Sequence, residues 1–314
     1  MKKKILFYAP YHFDIDKAIL TELEKLKQYQ VTKLSSNKYR YKNNLERLYN
    51  FLGKIFLKKT LKKQWMAKIQ MEEILTNQPF DLCLMMRPDL LEKNVLEKIK
   101  NTIPIRKVFY WDSFNKIPAF KETLPYFNQY FTFEEEDALK YNLKKISNFY
   151  IHRFSDKKVH YDAFFFGSKD SRLHNISKLI AYLKNKNWNA KALLVGKKTT
   201  NDKTDGVEII KNGIPFAEIY KFAENTQIVI DISHPNQKGL SMRPYEALGL
   251  ERKLITNNSE IKKYDFYNPN NIYIIEDFDN LDIPNSFLEQ PYEKISEDIY
   301  NKYHISSWLN FILK

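Results

Sequence analysis

Short apolar segments alternate with amphipathic segments along the whole chain, and this alternation constrains the fold more than any other feature. The short apolar segments are typical of buried strands, and the amphipathic ones have the spacing of helices. Strands and helices that alternate in this way indicate parallel sheets covered by helices. The sequence therefore predicts an α/β fold.

The alternating segments form two sets, separated by a polar segment at residues 152–158. The predicted strands of the first set are Ile5–Tyr8, Leu82–Met86, Lys107–Trp111 and Tyr130–Phe133, with helices at Lys17–Leu26 and Leu90–Ile99. The predicted strands of the second set are Ala163–Phe166, Ala192–Val195, Val207–Ile210, Ile228–Ile232, Leu254–Thr256 and Ile272–Ile275, with helices at Arg172–Lys186, Pro215–Ala223 and Pro244–Leu250.

Two sets of this kind predict two Rossmann-like domains whose parallel sheets face a cleft. We expect an N-terminal domain at residues 1–155 and a C-terminal domain at 156–285. A final helical segment at 286–314 would return toward the first domain. All glycines except Gly53 lie between residues 160 and 250, which favours the second domain as the one whose backbone approaches a ligand closely.

The composition excludes several classes of protein. Hydrophobic residues at 43% and charged residues at 28% are typical of a globular chain with a large core. Cys83 is the single cysteine, which excludes a disulfide framework. The apolar segments are far too short to cross a bilayer, and the one near the N-terminus is too short for a secretory signal. We expect a cytoplasmic protein.

The net charge of +13 indicates an anionic partner, which could be a nucleic acid, an acidic membrane or a phosphorylated substrate. The high aromatic content of 15% is compatible with base stacking. A general bias of the sequence toward Lys, Asn, Ile and Tyr is an equally simple explanation. Charge alone therefore leaves the class of partner open.

The first candidate site follows the strand Ala163–Phe166. Gly167 and Ser168 end this strand, and Ser171 is placed to cap the next helix. Backbone N–H groups at such a helix start, with Lys169 and Arg172 beside them, would bind a phosphate or diphosphate. The alternative is an ordinary capped corner between a strand and a helix.

The second candidate site follows the strand Ile228–Ile232. A glycine-containing loop leads into a short helix with Pro244 in its first turn, where a missing N–H costs nothing. Ser241 is a candidate cap, so amides near Met242 and Arg243 would face an anion. Arg243 and Glu246 lie three residues apart and share a helix face, which could also be a plain surface ion pair.

The order of these motifs from residue 160 to 260, ending in Arg243–Gly249 and Lys253–Thr256, resembles the nucleotide-binding half of GT-B glycosyltransferases. The group-1-like and CgeB-like enzymes of bacterial capsule and lipopolysaccharide clusters are the nearest in pattern. The resemblance implies a nucleotide-sugar donor and a glycan or lipid-linked acceptor. It also implies that Glu246 holds the donor ribose and that Ser241, Met242 and Arg243 grip the diphosphate.

One position departs from the family pattern. Many retaining members carry a second glutamate seven residues earlier, where this chain has Lys238. A lysine there could serve the diphosphate or an acidic sugar. The departure leaves the retaining mechanism in question, and it keeps a non-catalytic GT-B-like partner subunit as an alternative function.

The leaving diphosphate can be stabilised by helix N-termini and cationic side chains, so we expect no metal and no cofactor beyond the donor. The histidines are scattered, and the two Asp-x-Asp triplets at 14–16 and 277–279 have the frequency expected by chance. An inverting enzyme needs a base for the acceptor hydroxyl. The candidates are His12, Asp14 and Asp112, each of which could instead be a plain loop or turn residue.

A basic segment at residues 38–68 contains ten Lys or Arg residues and a single acidic residue, Glu46. Leu45, Leu48, Tyr49, Leu52, Ile55 and Phe56 form an apolar helical stripe within it. Such a helix could lie on an anionic membrane, or it could pack on its own sheet with a solvated lysine face. A basic nucleic-acid-binding protein is the remaining alternative function, although no recognised binding module accompanies the charge and we expect no nucleic acid partner.

Overall fold

The structure is a computed structural model that describes residues 2–11, 15–36, 39–56, 60–156, 158–198, 204–214, 216–234 and 238–314. The chain divides into two compact units, Met1–Ile146 and Ser147–Lys314. Each unit contains one six-stranded sheet. All neighbouring strands in both sheets are parallel, so the predicted α/β class is confirmed.

The elements of the first unit are β1 Lys3–Tyr8, α1 Ile15–Lys25, β2 Tyr29–Lys33, α2 Asn44–Phe56, α3 Leu61–Asn77, β3 Leu82–Met86, α4 Lys93–Thr102, β4 Ile105–Tyr110, α5 Phe120–Thr123, β5 Gln129–Thr132, α6 Glu135–Tyr141 and β6 Lys144–Lys145. The strand order is β2-β1-β3-β4-β5-β6. This is the flavodoxin-like order extended by one strand, and the direction of winding reverses between β1 and β3.

The core of the first unit is built on its central strands. All five residues of β3 are buried, which explains the uninterrupted apolar run in its sequence. Leu6, Cys83 and Val108 come from three adjacent strands and lie in one buried cluster. Removing such side chains from water is the main favourable contribution to the stability of this unit.

The elements of the second unit are β7 Tyr161–Ser168, α7 Leu173–Asn185, β8 Ala190–Val195, β9 Val207–Ile210, α8 Phe216–Glu224, β10 Thr226–Asp231, α9 Arg243–Gly249, β11 Lys253–Thr256, β12 Ile272–Ile274, α10 Asn285–Glu289, α11 Glu297–Lys302 and α12 Ile305–Leu313. The strand order is β12-β11-β10-β7-β8-β9. Counted from β7, this is the Rossmann order 3-2-1-4-5-6 read from its other end, with the switch point between β7 and β10.

Helix α7 covers this second sheet. Its buried residues Ile176, Leu179, Ile180 and Leu183 recur at helical spacing and belong to the same buried cluster as Phe165 of β7. The amphipathic pattern is therefore the reason that the segment both folds as a helix and docks on the sheet.

The C-terminal residues lie in the second unit as three short helices. Tyr150 donates its backbone N–H to the carbonyl of Tyr303 at 2.9 Å and accepts one from Ile305 at 2.9 Å. The Trp308 ring packs against Phe149 with centroids 4.5 Å apart. Backbone and aromatic contacts thus join α12 to the segment that opens this unit. No helix in the described ranges is long and apolar enough to span a membrane.

Candidate functional site

The two candidate corners of the sequence lie side by side in the second unit. One follows β7 and the other follows β10, and these strands are neighbours in the sheet. Because both strands are parallel, their carboxyl ends meet at the same edge. The topological switch point of the sheet lies between these two strands, and open α/β sheets bind their ligands at this point.

Arg172 joins the two corners directly. Its Nη1 donates a hydrogen bond to the carbonyl of Ile232, just beyond β10, at 2.8 Å. Its Nε and Nη2 bind both oxygens of Asp170 at 2.9 and 2.7 Å. Although partial burial opposes it, these hydrogen bonds from Arg172 hold the pKa of Asp170 below its usual value. The Arg172 side chain is therefore held in place, and Asp170 largely balances its charge.

The cap of α7 differs from the expectation. The sequence predicts Ser171 as the cap, but the N-cap residue is Arg172, whose side chain forms no capping hydrogen bond. The backbone N–H of Arg172 donates to Asp170 Oδ1 at 3.0 Å, and the amide of Leu173 donates to the Asp170 carbonyl at 3.1 Å. The Asp170 carboxylate thus holds both the backbone N–H and the side chain of Arg172. The amide of Arg172 is consequently occupied.

Gly167 is required by the packing at this edge. A Cβ atom at this position would lie 2.8 Å and 2.9 Å from two ring atoms of Phe165 and 3.7 Å from Arg172 Nη2. Real Cβ contacts are longer than the first two distances, so a larger residue would displace the buried Phe165 ring. The glycine thus allows an aromatic ring to lie beneath the guanidinium groups of the site.

Arg243, the first residue of α9, approaches the same ring. Its Cζ lies 5.9 Å from the Phe165 ring centroid. Among the described residues, no carboxylate or carbonyl forms a hydrogen bond or ion pair with the Arg243 guanidinium. A guanidinium that has no hydrogen-bond partner among these residues is suited to bind a phosphate ligand, because its planar donors match the phosphate oxygens.

A buried carboxylate, Asp231, lies beneath Arg243 and was missed in the sequence. The Ser241 hydroxyl donates to Asp231 Oδ1 at 3.0 Å and accepts the backbone N–H of Arg243 at 3.1 Å. Thr256 Oγ1 lies 3.5 Å from the other oxygen. Burial raises the pKa of Asp231, and the nearby positive charges of Arg243 and Arg172 oppose this shift. Ser241 therefore holds the start of α9 in place, and its hydroxyl proton and the Arg243 amide are both used internally.

Glu246 lies one turn into α9 on the face that carries Met242. Burial raises the pKa of Glu246; Arg243 opposes the shift and the charge of Asp231 adds to it. Within the described part of the chain, no donor forms a hydrogen bond with its carboxylate, which opens onto a small niche. The niche is lined by Ile151, His152, Tyr220, Met242, Glu246 and Leu250.

The other predicted site residues lie at the same edge in different settings. Ser168 is exposed at the end of β7, in register with Val195. Lys169 runs over Gly196 and donates to the carbonyl of Lys197 at 2.9 Å. The carbonyl of Lys238 accepts a hydrogen bond from Asn258 at 2.9 Å.

The candidate bases belong to the first unit. His12 and Asp14 lie outside the described residues. Asp112 follows β4 at the carboxyl edge of its sheet and pairs with Lys116 at 2.5 Å. Beside it, at the end of β3, Arg87 adopts the left-handed conformation with φ of 55° and binds Asp89 through two hydrogen bonds. The left-handed backbone of Arg87 depends on the fold and leaves no signal in the local sequence.

The Asp-x-Asp triplet at 277–279 is a turn. Asp277 accepts the backbone N–H of Asp279 and the side-chain amide of Asn280, both at 2.7 Å. Asp279 forms an ion pair with Lys178. In the ranges that the structure describes, no group of three or more acidic, histidine or cysteine side chains is arranged to hold a metal ion.

No family model and no curated protein matches the chain. Solved structures do match along its whole length. An α-glucosyltransferase in complex with UDP and a 13-mer DNA containing an HMU base has a TM-score of 0.58 at 10% identity, with 100% of both chains covered. UDP-GlcNAc 2-epimerase from Neisseria meningitidis, bound to UDP-GlcNAc, has a TM-score of 0.53 at 10% identity, covering 100% of this chain and 99% of its own.

A third match is a DNA-modifying β-glucosyltransferase, with a TM-score of 0.52 at 12% identity and 98% of both chains covered. The chain has the GT-B fold. The predicted fold, two Rossmann-like units with parallel sheets, is thereby confirmed. Transferases and epimerases share it, so the fold alone does not specify the reaction.

Proposed function

We propose that this GT-B chain is a glycosyltransferase that binds a nucleotide-sugar donor at the carboxyl edge of its second sheet. The observation that carries the proposal is the convergence of Arg172 and Arg243 on Phe165 at the switch point, with 6.0 Å and 5.9 Å between their Cζ atoms and the ring centroid. In the proposed complex Arg243 binds the diphosphate and Glu246 accepts hydrogen bonds from the ribose hydroxyls. Gly167, Ser168 and Lys238 border the same site.

The proposed chemistry follows from where charge develops. The bond between the sugar C1 and the diphosphate oxygen breaks, and negative charge grows on the departing nucleoside diphosphate. A guanidinium that is already in place, in a partly desolvated site, stabilises this charge without reorganisation. Arg172 would act mainly by positioning the two corners relative to each other, because Asp170 balances its charge.

The acceptor hydroxyl attacks C1 and gives its proton to a general base. Asp112 is the candidate among the described residues, and His12 and Asp14 are the candidates outside them. A carboxylate at the end of a parallel strand is a common location for such a base.

We propose a glycan or lipid-linked acceptor of bacterial capsule or lipopolysaccharide assembly, on the strength of the Arg243–Gly249 motif. A second candidate is a DNA acceptor. The net charge of +13 favours it, as does the whole-length match to an α-glucosyltransferase bound to DNA. Duplex DNA containing an HMU base, incubated with the protein and radiolabelled UDP-glucose, separates the two, because label enters the DNA only if DNA is the acceptor.

A thermal-shift screen of UDP-, GDP-, CMP- and dTDP-sugars tests donor binding. A ligand at 100 times its Kd adds about 2.7 kcal/mol to the free energy of unfolding, which is easily measured. Product analysis then identifies the reaction: release of the nucleoside diphosphate, or of CMP from a CMP-sugar, indicates transfer or hydrolysis, and an epimerised sugar nucleotide indicates an epimerase. Donor binding without turnover would favour the non-catalytic partner subunit, and no stabilisation by any of these sugars would refute the proposal.

A further inference from the structure

Helix α2 turns its apolar side outward. Six large apolar side chains on it are between 49% and 76% exposed: Leu45, Leu48, Tyr49, Phe51, Ile55 and Phe56. The buried residues of the same helix are Asn50 and Gly53. The sequence left open whether the apolar stripe packs on the sheet, and in the structure it does not.

The spacing of these residues produces one continuous surface. At 3.6 residues per turn, the six positions fall within an arc of about 160° around the helix axis. Asn50 lies opposite the middle of this arc, and Gly53 lies about 40° beyond its edge. The exposed side chains therefore form a single apolar surface, which we call the α2 surface, and contiguous surfaces of this kind mark interaction sites.

Internal hydrogen bonds hold the helix in this orientation. The Asn50 side chain donates to Tyr41 Oη at 2.9 Å and accepts the backbone N–H of Lys62 at 3.0 Å. The Glu46 carboxylate accepts from the Tyr39 hydroxyl at 3.0 Å and from the backbone N–H of Lys42 at 2.8 Å. Rotating the apolar side inward would break these bonds and leave buried polar groups unpaired, which is costly.

The surrounding charge identifies the kind of partner. Residues 38–68 contain ten basic residues and one acidic residue, and Arg47 and Lys54 are exposed beside the α2 surface. A second copy of the chain would bring like charges together. Duplex DNA would match the charge but would leave the apolar side chains without apolar contacts. An anionic lipid bilayer offers both phosphate groups and hydrocarbon.

We propose that the α2 surface inserts into an anionic lipid bilayer, with Leu48, Phe51 and Ile55 at the acyl-chain boundary and Arg47 and Lys54 at the phosphates. The helix lies in the plane of the interface. This inference is independent of the proposed transferase reaction, because it rests on the first unit alone.

The test is flotation of the full chain, without donor, on vesicles of phosphatidylcholine and on vesicles of phosphatidylcholine with phosphatidylglycerol at 3:1. We expect binding only to the anionic vesicles. Leu48→Ser/Phe51→Ser/Ile55→Ser should abolish it, and Arg47→Gln/Lys54→Gln should weaken it about 30-fold, since each basic residue near the surface contributes about fivefold. Matched controls are Leu139→Ser, which removes an exposed leucine from α6, and Lys93→Gln on α4; both should bind like the unsubstituted chain.

Three outcomes would overturn the proposal. The first is equal binding to both vesicle types or to neither. The second is a concentration-dependent dimer in analytical ultracentrifugation that the triple serine variant dissociates, which would assign the α2 surface to a second copy. The third is a gel shift of duplex DNA that the Arg47→Gln/Lys54→Gln variant loses, without vesicle binding. Circular dichroism melting of each variant shows whether it folds; the altered side chains are all exposed, so melting temperatures should stay unchanged.

Discussion

Arg172 and Arg243 come from different corners of the second sheet and approach one aromatic ring, Phe165, at nearly equal distances of 6.0 Å and 5.9 Å. Their partners differ. Arg172 is held by Asp170 and by the carbonyl of Ile232, whereas no hydrogen bond or ion pair within the described residues holds the Arg243 guanidinium. The two arginines should therefore respond differently to substitution.

Arg243→Ala should weaken donor binding and lower stability less than Arg172→Ala does, because Arg243 contributes only its charge beside Asp231 and Glu246 and forms no side-chain hydrogen bond within the described residues. A charged hydrogen bond to the diphosphate is worth roughly 1.5–3 kcal/mol, so the Kd should rise about 10- to 100-fold. Arg172→Ala should lower both donor affinity and the melting temperature, because it removes the link between the corners. Calorimetric titration and thermal melting measure the two effects. Lys178→Ala, which removes a cation from the same helix as Arg172, is the control and should change neither; an Arg243→Ala variant with unaltered donor affinity would contradict the site.

Glu246→Ala should remove ribose recognition. The expected loss in affinity for the ribonucleotide donor is about 10-fold or more, because a carboxylate that accepts two hydroxyl hydrogen bonds is lost. A double comparison makes the test specific: the unsubstituted chain should prefer UDP-glucose over its 2′-deoxy analogue, and Glu246→Ala should bind both equally. Glu289→Ala, at an exposed position on α10, should keep the preference. A preference that survives in Glu246→Ala would place the ribose elsewhere.

The central strands and the position of the site could be predicted because they depend on local pattern. Leu82–Met86 is an unbroken apolar run, and it is β3 with the predicted bounds. The corners at 167–172 and 241–246 follow strands of one parallel sheet, whose carboxyl ends necessarily share an edge. The sequence pattern did not predict strand β2, Tyr29–Lys33. This strand lies at the edge of the sheet, its residues are at most half-buried, and its apolar residues alternate with polar residues instead of forming an apolar run.

Asp231 and the orientation of α2 could not be predicted because each depends on distant contacts. Asp231 ends an apolar strand, and its burial requires Ser241 and Thr256 from two other segments. The outward turn of the α2 apolar side depends on Asn50, whose partners lie before and after the helix. A helical pattern fixes which residues share a face but not which face meets the protein.

Cys83 should behave as an inert thiol in the folded chain. It is the second residue of β3, is fully buried, and burial raises its pKa to about 12. The thiolate is the reactive form, so alkylation or disulfide exchange should be very slow at pH 8. Ellman's reagent should detect almost no thiol without denaturant and one thiol per chain in guanidinium chloride. Rapid reaction of the native protein would show that β3 opens readily.

Protonation of Asp231 should favour donor binding as the pH falls toward the raised pKa of this carboxyl. Burial raises the pKa of Asp231, and Arg243 and the Ser241 hydrogen bond oppose the shift, so the carboxyl takes up its proton at a higher pH than an exposed aspartate does. Protonation removes a negative charge near the diphosphate, and binding of the anion is therefore coupled to proton uptake at Asp231. UDP-glucose is the suitable probe because its phosphates stay ionised above the ordinary range of carboxyl groups. Asp231→Asn keeps a group of the same size beneath Arg243 and removes this titration, so its donor affinity should gain less than that of the unsubstituted chain when the pH is lowered. The exposed Asp298→Asn should behave like the unsubstituted chain. An equal pH dependence in Asp231→Asn and the unsubstituted chain would show that Asp231 does not face the bound diphosphate.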